Sequence, residues 1–354
     1  MAGGSGERFW PLSTRERPKQ LLKLVDEKRS LIRMAVDRVL PLIDANRVFI
    51  ATNAVQAPAV REELPDIPEK NIILEPLFKD TAAAIGFASV IIDEMFPGSV
   101  MVVLASDHLI KDEEDFRESL KCAIDAAGNQ NAIVTLGVKP SYPETGFGYL
   151  KVKAIEDEDS LEFQLDYGIR KGKTAVVETF CEKPEFDLAR KYVASGKYLW
   201  NSGMFIFKIP VMIDAFKRLM PGHFDLLMEI KELGPGKRDV GNISLNEIFG
   251  RFTKISIDFG IMEKFEKTMV VPVDFGWSDV GSFPALADIF TPNENKTVVR
   301  GTQLRELSSG NNIVISTTGK KISLLGVDDM VIVETPDNIL ICSKNEAQNI
   351  KKLL

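Results

Sequence analysis

Residues 2–13 read Ala-Gly-Gly-Ser-Gly-Glu-Arg-Phe-Trp-Pro-Leu-Ser, and residues 17–20 continue with Arg-Pro-Lys-Gln. Three of the first positions are glycines (Gly3, Gly4 and Gly6), so their backbone amides can approach a phosphate without interference from side chains. Arg8 adds a planar, permanently charged fork that suits phosphate oxygens, and Lys19 adds a point charge. The stretch therefore predicts a cradle for a triphosphate. The alternative is a flexible glycine-rich tail of the kind found at chain termini.

Composition and charge describe a globular chain. The 354 residues include 45% hydrophobic and 27% charged residues, and the formal net charge is −7. This balance excludes a disordered chain and argues against nucleic acid as a partner. No apolar run approaches the roughly 20 residues of a membrane span, and no leader precedes the glycines, so we expect a cytoplasmic protein without membrane contact. Residues 1–30 contain seven Lys/Arg and four acidic residues. This local excess of positive charge suits the binding of a small anion.

Cysteine and histidine are too scarce for a zinc cluster. Three cysteines, Cys122, Cys181 and Cys342, lie far apart and are typical of buried thiols in a reducing compartment. With only His108 and His223, most serine–histidine machinery is also excluded. Any catalytic metal must therefore have oxygen ligands, which favours Mg²⁺.

Two common glycine motifs do not fit the opening stretch. A dinucleotide fingerprint needs a third glycine where Phe9 stands, and a P-loop needs Gly-Lys-Ser/Thr where Glu7 and Arg8 stand. With Pro-Leu-Ser at 11–13 and Pro-Lys-Gln at 18–20, the stretch resembles the signature of the sugar-1-phosphate nucleotidylyltransferases, most closely their mannose-1-phosphate guanylyltransferase branch. The resemblance implies that Arg8 and Lys19 are the catalytic cations and that the nucleotide lies along Ala2, Gly3, Gly4 and Gly6.

Alternating strands and helices over residues 31–136 predict an α/β fold with a Rossmann-like, mostly parallel sheet flanked by helices. The continuous apolar run at 100–105 predicts a strand buried on both faces. Extended segments predicted at 148–155, 161–167 and 174–181 interrupt this alternation of strands and helices. A strand predicted at 269–273 is the last of the domain. The family places a first core strand before the glycines. Because only two residues precede Gly3, we expect either a start further upstream or a missing first strand.

Residues 297–354 change character after a segment rich in Asn, Pro and Thr at 291–296. Short Val/Ile/Leu runs separated by turns predict a small all-β module, and a short β-helix is one arrangement with that spacing. We therefore expect domains at 1–290 and 297–354. The resemblance implies that the second is a left-handed β-helix used in dimer contacts, and hence a homodimer.

The segment 75–84 joins a strand end to the start of a helix. Asp80 or Thr81 is the natural N-cap, and the small residues beyond it leave room for a flat group. The resemblance implies that Glu75, Thr81 and Ala82 contact the nucleotide base, although Asp80 stands where the family usually has Asn. A capped helix without a ligand is the alternative.

Asp107 follows the apolar run at 100–105, the position at which a metal ligand for a triphosphate is expected. Asp279, between two glycines at 276 and 281, is the second candidate. The resemblance implies that this pair holds Mg²⁺. A plain Asx turn is the alternative at Asp279, and we expect His108 to pack beside the site rather than to act as an isolated ligand.

Three short segments in the middle of the chain are candidates for a sugar-phosphate pocket, at 144–149, 182–184 and 200–204. Each alone is weak, because Glu-Lys pairs and Asn turns are common on protein surfaces. Taken together and in this order they resemble the sugar pocket of the family. The resemblance places Asp258 in a supporting role and implies that the pocket is formed by Thr145, Gly146, Tyr149, Glu182, Lys183, Asn201 and Gly203.

The expected reaction is an attack of mannose 1-phosphate on the α-phosphorus of GTP, giving GDP-mannose and pyrophosphate. No protein nucleophile is required, because the sugar phosphate is ionised at neutral pH. Two alternatives remain open. One is an enzyme for another pair, such as glucose 1-phosphate with UTP, dTTP or ATP. The other is a non-catalytic regulatory protein that binds nucleotide sugars.

Overall fold

A computed structural model describes residues 1–4, 6–153 and 173–354. The strand expected at 161–167 lies outside these residues. In the described ranges the α-helices are α1 (Leu31–Val39), α2 (Ala57–Glu63), α3 (Asp80–Met95), α4 (Glu113–Gln130), α5 (Phe186–Ser195), α6 (Ile209–Leu219), α7 (Pro221–Leu233) and α8 (Ile243–Arg251).

The strands of the N-terminal region are β1 (Ile50–Asn53), β2 (Ile72–Glu75), β3 (Val100–Val103), β4 (Leu109–Ile110), β5 (Ile133–Val138), β6 (Tyr149–Val152), β7 (Ala175–Cys181), β8 (Tyr198–Lys208), β9 (Thr268–Val273) and β10 (Trp277–Ser278). Those of the C-terminal region are β11 (Val298–Arg300), β12 (Leu304–Leu307), β13 (Ile313–Ser316), β14 (Ile322–Leu325), β15 (Met330–Glu334) and β16 (Ile339–Ser343).

The main sheet has the order β3-β8-β5-β9-β7-β6, with a further pairing of β8 with β6. The expected α/β class is confirmed, but the sheet is mixed rather than mostly parallel. Among the described strands of this sheet only β5 and β9 pair in parallel, whereas β8 runs antiparallel to β3, β5 and β6. The long strand β8 lies between β3 and β5 and follows helix α5 in the chain.

Within the main sheet the most buried strands are β5 and β9, whose residues are all buried. The strand after which Asp107 comes, β3, lies at the edge of the main sheet and is only partly buried along most of its length. The expectation of a strand buried on both faces is therefore wrong for β3. Apolar composition alone does not distinguish a central strand from an edge strand that other segments cover.

The first two residues connect the edge of the main sheet to a separate parallel pair, β1 and β2. The Met1 amino nitrogen donates to Leu104 O at 2.9 Å, and Ser106 N donates to Met1 O at 3.2 Å. On the other side, Ala2 N donates to Ala51 O at 2.7 Å. The glycine stretch is thus held at the end of β3 from its first residue onward, and a flexible tail is excluded.

Helices cover both faces of the main sheet. On one face α3, α6, α7 and α8 pack together, with the Phe87 and Phe249 rings edge to face at 5.0 Å. On the other face α4 packs through Phe116, which meets Phe275 at 5.4 Å. No helix in the described ranges combines the length and the apolar composition needed to cross a membrane.

The C-terminal region forms two stacks of short strands, β11-β13-β15-β16 and β12-β14. All pairings are parallel except that of β15 with β16. Partners such as Ile313 and Val331 are 18 residues apart, as are Leu304 and Ile322, whereas Val298 and Ile313 are 15 apart, so each turn of the chain takes 15 to 18 residues. This β-helix-like module packs against the glycine-stretch region, because Phe9 shares a buried cluster with Ile313 and Val331.

Candidate active site

The glycine stretch folds directly onto the segment that carries Lys19. Gly6 has a φ of +61°, and a Cβ at this position would lie 2.7 Å from Lys19 Cβ and nearer still to its backbone nitrogen. Only glycine fits there without displacing Lys19. The carbonyl of Gly6 also accepts a hydrogen bond from the Ser13 hydroxyl at 2.8 Å. The position of Lys19 is therefore set by the turn at Gly6.

Two buried glutamine side chains hold the rest of the stretch. Gln20 Nε2 donates to Ala2 O at 2.9 Å and to Gly4 O at 3.2 Å. Gln56 Nε2 also donates to Gly4 O at 3.2 Å. The carbonyl oxygens of Ala2 and Gly4 are thus held by hydrogen bonds from buried side chains. Gln20 stands in the Pro-Lys-Gln motif and Gln56 in none, and a glutamine in a sequence carries no signal of burial.

Lys19 brings the two aspartates together. Its side chain is buried, and Nζ donates to Asp107 Oδ2 at 2.9 Å and to the backbone oxygen of Asp279. Burial is the largest single effect and raises the pKa of Asp107, but the charge and hydrogen bond of Lys19, together with His108 and a backbone hydrogen bond, outweigh it, so that this pKa lies below its usual value. Burial raises the pKa of Asp279, and the neighbouring charge of Asp107 adds to this effect while Lys19 opposes it.

The aspartates meet because a short antiparallel ladder joins their segments. Trp277 pairs with Ile110, and Ser278 pairs with Leu109. Continuing the register by one residue sets Asp279 opposite His108 and therefore next to Asp107. A pairing between segments so far apart in sequence cannot be read from local patterns.

Arg8 reaches the same corner from the glycine stretch. Its Nη1 donates to Gly281 O at 3.2 Å and to Gln348 Oε1 of the C-terminal module at 3.2 Å. A Cβ at Gly281 would lie 2.8 Å from Asp279 Oδ2, so this turn leaves room for the carboxylate. The structure therefore brings Arg8, Lys19, Asp107 and Asp279 around one site.

The carboxylate pair fits a divalent cation. Asp107 and Asp279 are partly buried like charges, an arrangement that a cation between them stabilises. In the described part of the chain no group of three or more His, Cys, Asp or Glu side chains forms a closed metal site. Two carboxylates with the remaining ligands supplied by phosphates and water are a typical Mg²⁺ environment.

His108 packs beside the site, as expected. Trp277 Nε1 donates to His108 Nδ1 at 3.2 Å, so that nitrogen carries no proton. Burial lowers the pKa of His108 to about 4, and the ring is neutral at physiological pH. Trp277 also meets Phe147 at 5.1 Å, and Phe147 meets Trp200 at 5.3 Å, all edge to face. This row of aromatic rings connects the segments of Asp107 and Asp279 to the segment of Asn201. No sequence pattern predicts it.

The base candidates lie on the other side of the glycine stretch. A Cβ at Gly3 would lie 3.7 Å from Glu75 Oε1, so the two residues are neighbours. Burial raises the pKa of Glu75 to about 7, and the carboxylate of Asp80 adds to the effect. Ala82 is fully buried at the start of α3. Glu75 therefore lines the part of the site nearest Gly3, whereas Ala82 packs in the core, and its backbone nitrogen donates to Ile255 O at 3.3 Å.

Neither Asp80 nor Thr81 caps α3 in the expected way. The N-cap position is Lys79, without a side-chain hydrogen bond. Asp80 has a φ of +69°, a conformation that Asn and Asp tolerate better than most residues, and its Oδ1 accepts from Thr81 N at 2.7 Å. Thr81 Oγ1 instead accepts from Ile257 N at 2.8 Å. The hydroxyl thus ties this loop, residues 79–82, to a distant segment.

The loop with Thr145 and Gly146 is anchored by its own neighbours. Gly146 N donates to Glu144 Oε1 at 2.7 Å, and Thr145 is exposed. The Tyr149 ring is fully buried, and its hydroxyl donates to Glu144 O at 2.9 Å. The structure therefore gives Tyr149 a part in holding the loop.

Glu182 and Asn201 lie against Gly148 on the side where any other residue would carry its Cβ. A Cβ there would lie 2.5 Å from Glu182 Oε2 and 3.3 Å from Asn201 Cβ. Lys183 has a φ of +48° and its Nζ donates to Glu182 Oε1 at 2.5 Å. Glu182 Oε2 is buried and has no hydrogen-bond partner among the described residues. A buried carboxylate oxygen without a partner indicates a place for a ligand donor.

Asn201 connects this pocket to Gly203 and Asp258. Its Oδ1 accepts from Gly203 N at 3.2 Å, and its Nδ2 donates to Asp258 Oδ1 at 3.0 Å. Burial raises the pKa of Asp258 to about 7, with the Glu182 carboxylate as the next cause. Glu182, Lys183, Asn201 and Gly203 thus lie around one region, and the 144–149 loop joins it through the hydrogen bond from Lys183 N to Phe147 O at 3.2 Å. Thr145 and Gly146 are exposed on that loop, and Tyr149 is buried.

The chain matches two family models. The model described as Nucleotidyl transferase covers residues 1–296. The chain belongs to the nucleotidyl transferase family. A second model, the MannoseP isomerase/GMP-like beta-helix domain, covers residues 307–354 of this nucleotidyltransferase and confirms the small β module.

Relatives of this nucleotidyltransferase extend over the whole chain. It is 35% identical to the mannose-1-phosphate guanylyltransferase of Salmonella muenchen and 36% identical to mannose-1-phosphate guanylyltransferase 2 of Escherichia coli O157:H7, over 100% of this chain and 72% of each relative. A solved structure from Thermus thermophilus, described as a mannose-1-phosphate geranyltransferase, has a TM-score of 0.85 at 32% identity and covers 100% of this chain and 96% of its own.

Proposed function

We propose that this nucleotidyltransferase transfers GMP from GTP to α-D-mannose 1-phosphate. The observation that carries the proposal is the convergence of Arg8, Lys19, Asp107 and Asp279 beneath the glycine stretch. The names of the relatives at 35% and 36% identity support mannose and guanine among the possible substrates.

In the proposed reaction an oxygen of the sugar phosphate attacks the α-phosphorus of GTP in line. A phosphorus–oxygen bond forms on one side as the bond to pyrophosphate breaks on the other, and pyrophosphate leaves with the electron pair. Lys19 Nζ, held by Asp107 and Asp279, lies where it can stabilise charge on the α-phosphate oxygens. Arg8 is exposed and donates to Gly281 O, and from there it would neutralise charge on the departing pyrophosphate.

Asp107 and Asp279 would hold a Mg²⁺ ion, which when bound neutralises phosphate charge and helps to align the substrates. Glu75, Thr81 and Ala82 would surround the base, with the amides of Ala2, Gly3, Gly4 and Gly6 along the phosphates. Thr145, Gly146, Lys183 and Gly203 would contact the sugar phosphate, and Glu182 and Asn201 the sugar hydroxyls. Tyr149 would act by fixing the 144–146 loop.

The test is pyrophosphate release by the purified protein over a grid of GTP, ATP, UTP and dTTP against mannose 1-phosphate and glucose 1-phosphate. We expect the highest kcat/KM for GTP with mannose 1-phosphate, and loss of turnover in EDTA with recovery on addition of Mg²⁺. A different preferred pair would contradict the proposed substrates. Binding of GTP without turnover of any pair would favour the regulatory alternative.

We further propose a cytoplasmic homodimer, formed through the C-terminal module. Leu307 and Leu325, paired in register on β12 and β14, are 67% and 72% exposed, and Ile339 and Ile341 of β16 are exposed as well. The cysteines Cys122, Cys181 and Cys342 are free, which suits a reducing compartment.

Leu325→Lys should convert the dimer to a monomer when mass is measured by light scattering. Ile243→Lys is the matched control, because Ile243 is 74% exposed but lies on α8, outside the module. A dimer that survives Leu325→Lys, or one that is lost with Ile243→Lys, would contradict this surface.

A further inference from the structure

The amide of Asn201 is oriented by three hydrogen bonds from different parts of the chain. Besides the bonds to Gly203 and Asp258, its Oδ1 lies 3.0 Å from the Thr135 hydroxyl on β5. The Thr135 hydroxyl can donate or accept and fits either orientation of the amide. Gly203 N can only donate, and the Asp258 carboxyl offers an acceptor to Nδ2. The orientation therefore depends on Gly203 and Asp258.

Of these two contacts, that of Asp258 is the shorter, 3.0 Å against 3.2 Å. When the Asp258 carboxyl is ionised, a hydrogen bond to it is also roughly twice as strong as one to a neutral group. Asp258 therefore has the larger effect on the Asn201 amide. With Nδ2 held in this way, its second hydrogen is available on the side of the pocket.

The pocket then offers complementary groups to a sugar. Glu182 Oε2 is a buried acceptor without a partner among the described residues, and Asn201, which lies against Gly148 as Glu182 does, supplies an N–H donor. A sugar hydroxyl donates one hydrogen bond and accepts others, so it satisfies both groups at once. A wrongly turned amide would present an oxygen next to the carboxylate and leave two acceptors facing each other.

Asp258 is itself held firmly, as a positioning residue must be. It lies in a segment that we call the strap, residues 250–263, which contacts the 79–82 loop at one end and the sugar-phosphate pocket at the other. At the pocket end Glu182 N donates to Glu263 Oε1 at 3.0 Å. At the loop end the bonds are Lys79 Nζ to Gly250 O and Phe252 O at 2.7 and 2.8 Å, Ala82 N to Ile255 O at 3.3 Å, and Ile257 N to Thr81 Oγ1 at 2.8 Å.

We propose that Asp258 is a positioning residue for the sugar-phosphate pocket, which holds the Asn201 amide with an N–H turned toward the sugar. The strap supplies the rigid support for this carboxyl. The inference rests on the proposed function and names the residue that sets the geometry of its sugar pocket.

The test is a double-mutant cycle with Asn201→Ala, Asp258→Ala and the double variant. For each variant, binding of the hexose 1-phosphate that the wild type prefers is measured by calorimetry, with kcat and both KM values from pyrophosphate release. Asp258→Asn is the conservative variant, because an amide oxygen can still accept from Asn201 Nδ2. Asp225→Ala is the control for removal of an aspartate on α7, away from the pocket.

We expect Asp258→Ala to raise Kd and KM for the hexose 1-phosphate about tenfold, the effect of one lost hydrogen bond to a charged group. We expect kcat and KM for GTP to change by less than about threefold, and Asp258→Asn to stay near the wild type. The double variant should be no worse than Asn201→Ala, because Asp258 acts through Asn201.

Additive effects in the cycle would overturn the inference, as would an equal rise in both KM values or an Asp258→Asn variant as weak as Asp258→Ala. The cycle uses whichever hexose 1-phosphate the wild type prefers. It therefore still tests the role of Asp258 if the proposed substrate is wrong. Loss of binding in Asp225→Ala would also count against the inference, since it would show a general effect of removing negative charge.

Discussion

Replacement of Gly6 by alanine tests how the glycine stretch sets the position of Lys19. At a φ of +61° the alanine side chain itself costs about 1–2 kcal/mol of folding stability. The new Cβ would also lie 2.7 Å from Lys19 Cβ and closer to Lys19 N, whereas ordinary contacts begin at 3.4 Å. The Lys19 backbone must therefore move by about 1 Å, a displacement that can cost on the order of 100-fold in rate.

The matched control is Gly196→Ala at the end of α5. Gly196 has nearly the same φ, +64°, but a Cβ there meets nothing within 4 Å. Both variants should lose thermal stability in a melting experiment because of the positive φ, and Gly6→Ala should lose more, because its Cβ also contacts the Lys19 backbone. Only Gly6→Ala should lose about 100-fold in kcat for pyrophosphate release. If Gly6→Ala kept kcat within about threefold of Gly196→Ala, the turn at Gly6 would not set the position of Lys19.

Two further substitutions test charges in the site. Lys19→Met should raise the reaction barrier by roughly 3 kcal/mol, about 100-fold in kcat, with a smaller change in KM for GTP; an unchanged kcat would exclude Lys19 from stabilising the transition state. Asp258→Asn should stabilise the protein at pH 8 but much less at pH 4 to 5. A carboxyl whose pKa rises from 3.8 to about 7 on folding, beside Glu182 and Lys183, loses up to about 4 kcal/mol of stability as the pH increases through that interval. Equal melting-temperature differences at both pH values would contradict this assignment.

The parts of the site that could be predicted from the sequence are those with a local signal. The glycines, Arg8 and Lys19 indicate a phosphate site by residue type and spacing, and Asp107 does so by following a strand. Asp279 was predicted only through the resemblance, because it reaches Asp107 through a two-residue ladder between β4 and β10. A contact of that kind depends on the whole fold.

The remaining differences come from burial and strand direction. An antiparallel β8 has the same apolar composition as a parallel one, so the mixed sheet could not be foreseen from strand composition. Gln20, Gln56 and Thr135 look like surface residues in the sequence, and only their buried hydrogen bonds show that they support the site. Tyr149 looked like a ligand contact, whereas its ring faces the core.

The central claim is that the glycine stretch and the two aspartates form a single triphosphate site. It is tested most directly by an anomalous difference map from crystals grown with Mn²⁺ and a non-hydrolysable GTP analogue. We predict one strong manganese peak between the carboxylates of Asp107 and Asp279, with the triphosphate under residues 2–8 and beside Lys19 Nζ. A triphosphate bound elsewhere, or manganese away from both aspartates, would contradict the account.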